Sequence, residues 1–539
     1  MRGTGAIAAA FATALLVVPA TAAAAPPPEG AALSDNLEYV HRSAEARGIT
    51  EGKFDTVRGK DVLVITGRFG FKTYDVEDPA NPRLLDEFIP ADLAAGGYWQ
   101  NEDMELDTKR KLIIGALDPR HTDLGATAES ACPPGGGTAD PDCKSGFYVI
   151  SYANPGEMRQ VGDFVDLPAG HTSSCIQDCK YIWTGGPARR NNPEHAWLGP
   201  ILGPDEPDPF TFDRLVGDGR PIWVTDLRNP RNPVVSDKPV DLWRNDGFTD
   251  YSHDVDEDEQ GIAWVSGRGG IRGYATSGRH RDPYQDRMRT ATPLDPILVA
   301  GGGVGGTAQS VMLMHNSGRP TDGSVRADGV ENGSVLVGTE EEFTRPCGAS
   351  GKIVFSDLTD SWGGEPAQQS TLDEPYRMTP LDTFHPFTDT PETANPDLGC
   401  SAHYFEIEGP MLGAGWYGQG LRLLDIHDAT DVRQVGYYRV TGTTPNSGAN
   451  PSSNSWDMEF RTVEGKGGSS TDYAYLFDMN RGVEVLEIKK GVEAASRMGK
   501  VTAPSVKRDR FASKPVGGLG QTASFGDAGG TGYICPLFQ

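Results

Sequence analysis

Short apolar strands recur along the chain and end in the same way. The clearest copy is Gly-Leu-Arg-Leu-Leu-Asp at 420–425, and six similar segments begin at Gly70, Gly146, Pro221, Gly270, Lys352 and Gly482. A second apolar strand precedes each copy, as at 62–65. A proline-containing turn and a further strand follow several copies, as at 78–82 and 84–89. A β unit that repeats in this way is typical of stacked or radial architectures.

Four short strands in each of seven units, with little helical periodicity, predict an all-β fold: a seven-bladed β-propeller of four-stranded antiparallel blades. Most copies lie farther apart than the about 40–50 residues of common propeller repeats, so we expect long insertions in most units. These are the Gly- and Pro-rich stretches 118–144, 185–219, 277–308 and 361–397. In a rigid propeller such insertions form loops on the faces of the disc, either as binding loops or as loops without a function.

The chain divides into three expected regions. Residues 1–25 combine Arg2, an apolar run over 6–18 and an Ala-rich exit, which is typical of a secretory signal peptide. Residues 26–503 hold the propeller with its long loops, and 504–539 form a Gly-rich C-terminal tail. Since no other stretch is long and apolar enough to cross a bilayer, we expect a mature protein without a transmembrane segment, secreted or associated with the cell surface.

Charge and cysteine content limit the partners and the compartment. The formal net charge is −26, which repels phosphate backbones and argues against nucleic acid. Export permits disulfides among the seven cysteines. Proximity in sequence suggests Cys132 with Cys143, Cys175 with Cys179 and Cys347 with Cys400, which leaves Cys535 unpaired. Connectivity does not follow from spacing alone, and Cys175 with Cys179 could instead bind a metal.

Three segments resemble the LVIVD-repeat proteins, which are β-propellers of secreted and surface bacterial proteins. The resemblance depends on 420–425, on Tyr-Asp-Val-Glu-Asp-Pro-Ala-Asn-Pro at 74–82 and on His-Asp-Val at 253–255. It covers most of 36–503, although the units at 146, 270 and 352 lack the Asp-Pro turn. The resemblance implies the propeller fold and a location outside the cytoplasm. It implies no chemistry, because fold does not determine function.

The innermost strand of each blade runs along the central channel, so equivalent positions should face one another across the axis. Aligned on the hairpin that follows, one column contains Glu102, His253, His315, His403 and Trp456, and the next contains Asp103, Asp254, Asn316, Tyr404 and Asp457. In the third blade this register puts Ser173 and Ser174 in the two columns, with His171 two residues further out. The first blade offers Glu38.

Four of the ten histidines therefore begin consecutive innermost strands. Imidazoles with carboxylates nearby suit a transition metal such as Cu, Fe or Zn, with the carboxylates as ligands or as groups that orient the imidazoles. The candidate metal ligands are His171, His253, His315, His403, Glu102, Asp103, Asp254 and Asp457. The alternative is a hydrogen-bonded channel lining without metal. The run Glu-Glu-Glu at 340–342 is expected to be a solvated face.

The segment Gly-His-Thr-Ser-Ser-Cys at 170–175 is similar to part of the copper-dependent methanethiol oxidases of the selenium-binding-protein family, which are also propellers. Ser174 stands where that family has a further histidine. Two functional hypotheses follow. The first is an extracellular binding or interaction module for an unidentified ligand or protein, with a transition metal on its axis. The second is a metal-dependent oxidoreductase that uses the central histidines. The sequence leaves open whether the protein is an enzyme.

Overall fold

Seven four-stranded antiparallel blades surround one axis in the computed structural model, with almost no helix, which confirms the predicted fold class. The structure describes residues 26–91, 102–117, 145–186, 221–237, 239–240, 252–267, 270–282, 285, 287–302, 313–341, 351–362, 378–444, 448–465 and 469–489. The expected signal peptide and C-terminal tail lie outside these residues and stay predictions.

The blades follow one another along the chain, each beginning at the axis. The first two strands of the chain, β1 (Ala31–Leu33) and β2 (Leu37–Ser43), precede blade 1. Blade 1 contains β3 (Ile49–Val57), β4 (Lys60–Gly67), β5 (Gly70–Asp75) and β6 (Arg83–Phe88). Blade 2 contains β7 (Met104–Asp107), β8 (Leu112–Leu117) and β9 (Gly146–Ser151), with β10 (Arg159–Gln160) and β11 (Val165–Asp166) both paired to β9. Blade 3 contains β12 (Thr172–Ile176), β13 (Tyr181–Gly185), β14 (Trp223–Asp226) and β15 (Val234–Val235).

The remaining blades repeat this order. Blade 4 contains β16 (Ser252–Glu257), β17 (Ile262–Gly267), β18 (Gly270–Ala275) and β21 (Ile297–Gly302), with the hairpin β19 (Arg279–Asp282) and β20 (Arg287–Thr290) inserted before β21. Blade 5 contains β22 (Leu313–Gly318), β23 (Val335–Glu341), β24 (Ile353–Asp357) and β25 (Thr379–Phe384). Blade 6 contains β26 (Ala402–Glu408), β27 (Met411–Trp416), β28 (Gly420–Asp425) and β29 (Arg433–Val440). Blade 7 begins with β30 (Ser455–Glu464), β31 (Ser470–Asp478) and β32 (Gly482–Ile488).

The hydrophobic core lies between the blades. Seven clusters of buried apolar side chains each combine residues of two neighbouring blades, and together they fill all seven interfaces. The recurring apolar strands supply these clusters, because both faces of a central strand are covered by the adjacent sheets. Each fully buried Val, Leu or Ile contributes about 1.5–3 kcal/mol relative to an exposed one. The first strands of neighbouring blades contact one another and form a ring at the axis.

The N-terminal strands close the ring. β2 pairs with β32 and becomes the outermost strand of blade 7, while β1 pairs with β29 at the edge of blade 6. The sequence expectation that Glu38 faces the channel is therefore wrong, because Glu38 pairs with Glu487 at the outer edge of blade 7. The innermost strand of blade 1 is instead β3, whose Glu51 lies near the axis.

Two of the expected insertions contain fourth strands of their blades. The stretch 277–308 holds the β19–β20 hairpin and then β21, and 361–397 holds β25. The short helix α1 (Pro386–Asp389) follows β25, and 3₁₀ turns lie at Ala44–Ala46, Thr359–Ser361 and Pro391–Thr393. The stretch 118–144 and most of 185–219 lie outside the described residues.

A disulfide joins Cys175 and Cys179, as the spacing suggested, and it removes these thiols as metal ligands. Cys400 is also disulfide-bonded, and its expected partner Cys347 lies outside the described residues. Disulfides indicate an oxidising compartment. Secretion itself stays a prediction. None of the described helices has the length and apolar character needed to span a bilayer.

Candidate metal centre

A recurring β-bulge aims the axial side chains. Where the first strand of a blade pairs with the second, the register shifts around His253, around His315 and around His403. The same shift occurs at Thr50 in blade 1 and at Trp456 in blade 7. A bulge leaves one residue out of the ladder and turns its side chain, so that the three imidazoles point inward.

His171 reaches the axis by another route. The strand β12 pairs with β13 without a register shift, and His171 immediately precedes β12. Gly186 makes room for it, since a Cβ at this glycine would lie 2.2 Å from the Cβ of His171. The sequence register for blade 3 was therefore shifted by one residue: Ser173, not Ser174, is equivalent to Asp254.

The four imidazoles converge on the carboxylate of Glu102, and all five side chains are fully buried. The Nε2 atoms of His171, His315 and His403 lie 2.8, 2.9 and 3.1 Å from the oxygens of Glu102. The Nε2 atom of His253 lies 3.1 Å from that of His171 and 3.7 Å from Glu102 Oε1. The structure thus brings together five of the eight residues that the sequence singled out.

Glu341 completes the cluster from the end of β23. Its carboxylate oxygens lie 4.0, 3.9 and 3.9 Å from the Nε2 atoms of His253, His315 and His403. The hydroxyl of Tyr417 donates to Glu341 and orients it. The expectation of a solvated acidic run is wrong here, since Glu340 and Glu341 are 7% and 3% exposed. The sequence signal was weak, because Glu341 is the last residue of β23 and belongs to a run of acids.

These separations match the donor spacing of a metal site. Ligand atoms bound to one ion at about 2.0–2.2 Å lie about 2.8–3.1 Å apart when adjacent and up to about 4.4 Å apart when opposite. The contacts of Glu102 with His171, His315 and His403 match adjacent ligand atoms, and the separations of 3.9–4.0 Å from Glu341 lie within the upper limit. Glu102, His253, His315 and Glu341 each offer a ligand atom within 4.8 Å of the others, so this group could hold a metal ion.

Burial and neighbouring charges set the protonation of the cluster. Burial alone would raise the pKa of Glu102, but the imidazoles of His171, His315 and His403 outweigh it and hold the pKa well below its usual value. Burial, together with the adjacent imidazoles, holds the pKa of His253 well below its usual value and lowers that of His315 to about 3. Near neutral pH the centre therefore combines the carboxylate of Glu102 with neutral imidazoles at His253 and His315, the forms that bind metals.

Three predicted ligands lie elsewhere. Asp103, Asp254 and Asp457 line an acidic cavity further along the innermost strands. Asp103 accepts a hydrogen bond from the Ser173 amide at 2.8 Å, and Asp457 accepts one from the Gly52 amide at 3.4 Å. Asp103 therefore links blade 2 to blade 3, and Asp457 links blade 7 to blade 1. The ring of Tyr404 lines the same cavity and contacts His315 and His403, with ring centroids 4.6 and 4.9 Å apart.

Comparisons with known proteins add the fold alone. No protein-family model and no curated protein matches the sequence. A periplasmic gluconolactonase of Pseudomonas aeruginosa is 13% identical, with 79% of this chain and 96% of that chain covered and a TM-score of 0.41. The β-propeller domain of Myceliophteria thermophila Cps50 (Swd1) is 10% identical, with 84% and 99% covered and a TM-score of 0.42. Neither similarity carries an argument about function.

Proposed function

We propose that this protein is an exported LVIVD-type propeller that acts as a binding module outside the cytoplasm, with a transition-metal ion held on its axis. His171, His253, His315 and His403 are the proposed imidazole ligands, and Glu102 and Glu341 are the proposed carboxylate ligands. The signal-like N-terminus and the Cys175–Cys179 disulfide support the location. The LVIVD resemblance supports it as well.

The hydrogen bonding of His403 carries the proposal. Its Nδ1 atom lies 2.9 Å from the main-chain oxygen of Trp456, and a carbonyl can only accept, so the proton is on Nδ1. Its Nε2 atom faces Glu102 Oε1 at 3.1 Å. A lone pair on Nε2 would repel the carboxylate at this distance, so either a proton or a metal ion lies between the two atoms. An imidazole whose second nitrogen donates to a carbonyl is the usual arrangement of a metal ligand.

The donor set favours Cu, Fe or Zn. Neutral imidazoles suit these metals, whereas Ca²⁺ and Mg²⁺ prefer oxygen ligands. A bound ion would supply Lewis acidity, and copper or iron would add one-electron chemistry. Residues of the protein hold two of the proposed ligands in place. The Tyr417 hydroxyl orients the carboxylate of Glu341, and the main-chain oxygen of Trp456 orients the imidazole of His403. Complete burial of the cluster excludes bulk water.

Elemental analysis of the purified full chain, after reconstitution with Cu, Fe or Zn, tests the proposal. We expect about one equivalent of one metal in the wild type and less than a tenth of that in the double variant His253→Ala, His315→Ala. The matched control is His427→Ala, an exposed histidine outside the centre, which should retain the metal. His315→Gln keeps a side chain of similar size, and it replaces the double variant in the metal measurement if the double variant fails to fold. Absence of stoichiometric metal from the wild type would overturn the proposal.

A metal-dependent oxidoreductase is the second candidate. A cavity of about 390 Å³ lies beside the histidines and contacts them through Tyr404, so a substrate could come close to the centre. The enzyme hypothesis requires a redox-active ion and an exchangeable coordination position. Electron paramagnetic resonance of the copper- or iron-loaded protein, with added azide as a probe, distinguishes the enzyme hypothesis from the binding-module hypothesis. A changed spectrum favours the enzyme, and an unchanged one favours the binding module.

A further inference from the structure

The axial cavity beside the histidines is strongly acidic. Carboxylates from five blades line it, among them Glu51, Glu105, Asp256, Glu406, Asp457 and Glu459. The cationic side chains that line it are Lys53 and Arg319, and Arg319 is already paired with Asp258 at 2.6 Å. Because protein walls focus the field of like charges into a cleft, this cavity attracts cations.

Lys53 shows what kind of cation the cavity accommodates. Its ammonium group lies 3.1 Å from Glu51 and 3.7 Å from Glu105, inside the ring of acids. Burial and neighbouring carboxylates raise the pKa of Glu51 to about 8 and that of Asp457 to about 7, so near neutral pH some of these acids hold protons that a bound cation would displace. The cavity thus already holds one aliphatic ammonium group and has carboxyl groups for several more.

A buried hydroxyl without a partner points to a ligand independently of the acids. Tyr404 is 8% exposed and lines the cavity, and its hydroxyl has no hydrogen-bond partner among the described residues. Leaving such a group unsatisfied costs about 1–3 kcal/mol. An ammonium group has three donors and no acceptor, so it can donate to this oxygen.

The spacing of the acids favours an organic cation over a metal ion. Within the described part of the chain, the axial histidine centre is the one group of three or more His, Cys, Asp or Glu residues whose ligand atoms lie within 4.8 Å of one another. The cavity carboxylates do not converge in this way. They follow the strands at i and i+2, as Asp457 and Glu459 do, so successive levels lie about 7 Å apart. This spacing lies between those of ammonium groups joined by four and by five methylenes in an extended chain.

We infer that the acidic cavity binds a linear aliphatic polyammonium compound, with its chain along the propeller axis and its ammonium groups at successive levels of carboxylates. The volume of about 390 Å³ is in the range of small-molecule sites. This inference does not depend on the axial metal.

Calorimetric titration of the full chain with spermidine, 1,4-diaminobutane and n-butylamine tests the inference, with triethylene glycol as a neutral probe and Mg²⁺ as a metal probe. Affinity should rise at least tenfold from the monoamine to the triamine and fall with added salt. Spermidine should bind equally to the metal-loaded and to the chelator-treated wild type, so that failure of the metal proposal leaves this result unchanged. Equal binding of triethylene glycol, tighter binding of Mg²⁺ or no binding of spermidine would overturn the inference.

Two variants in β30 distinguish binding of spermidine in the cavity from binding to general surface charge. Glu459→Gln removes a cavity carboxylate and should weaken spermidine binding about tenfold. The control Glu464→Gln removes an exposed carboxylate on the same strand and should change it less than twofold. Tyr404→Phe should also weaken binding, by a smaller factor. An equal effect of Glu459→Gln and Glu464→Gln would show that spermidine binds to surface charge and would contradict the inference.

Discussion

The Nδ1 atom of His403 in blade 6 donates a hydrogen bond to the main-chain oxygen of Trp456 in blade 7 at 2.9 Å. This contact crosses the boundary between two blades and selects the ring nitrogen that faces Glu102. The bulge that removes His403 from its own ladder allows it, because the ring can then lie against the neighbouring strand. Assembly of the blades thus determines the orientation of the His403 ring in the candidate centre.

Removal of the metal should destabilise the fold. An ion that binds only the folded state stabilises it by about 2.7 kcal/mol at a free concentration 100 times its Kd. We expect a chelator to lower the Tm of the metal-loaded wild type by several degrees in differential scanning calorimetry. The His253→Ala, His315→Ala variant should show no such shift. An equal shift in both proteins would mean that the chelator acts elsewhere.

Tyr417→Phe should weaken metal binding while the fold persists. The phenol donates to Glu341, and loss of a group that orients a ligand typically costs 10–100-fold in metal affinity. Competition with a chromophoric chelator measures the affinity. The control is Tyr437→Phe, whose ring packs against Arg422 outside the centre. Unchanged affinity in Tyr417→Phe would argue against a role for Glu341 as a ligand.

The closing blade depends on a fully buried ion pair. Arg481 Nη2 lies 2.8 Å from Glu484 Oε1, and the hydroxyl of Tyr438 donates to the same oxygen at 2.9 Å. Removing one partner of such a pair leaves an uncompensated charge and costs about 3–5 kcal/mol. Glu484→Leu should lower the free energy of unfolding by this amount in urea titrations. The control Glu487→Gln, at a half-buried site on β32, should have a small effect; equal losses would show that any change on this strand is harmful.

Asp457 should make stability fall as the pH rises. Burial raises the pKa of this carboxyl from 3.8 to about 7, partly offset by Lys53. Below about pH 4 the folded and unfolded states both hold the proton. Between pH 4 and 7 only the folded state does, so stability falls by at most about 1.4 kcal/mol per pH unit. Asp457→Asn lacks this term and should gain stability relative to the wild type from pH 4 to 7 in urea titrations. Parallel curves would contradict the assignment.

The predictable part of the fold is the repeat. Apolar strands that end in Gly-x-x-x-x-Asp-like segments mark the third strand of nearly every blade, and the alignment on them placed His253, His315 and His403 in one column. The same alignment missed the first-blade position, because β2, which directly precedes blade 1 in the chain, belongs to the last blade. It also misplaced Ser173, because β12 lacks the bulge. A one-residue shift of register leaves no mark in a hydrophobic pattern.

The sequence alone determined that apolar strands must be covered on both faces, and hence that the blades pack in a ring and that scarce histidines meet near its axis. Tertiary structure decided the rest. It placed Glu341 among the imidazoles, moved Asp103, Asp254 and Asp457 into a separate acidic cavity, and fixed the tautomer of His403. The physical reason is that the pattern of apolar residues along each strand shows which side chains are buried. Ligand geometry, in contrast, depends on bulges and on contacts between residues far apart in the chain, such as Glu102 and His403.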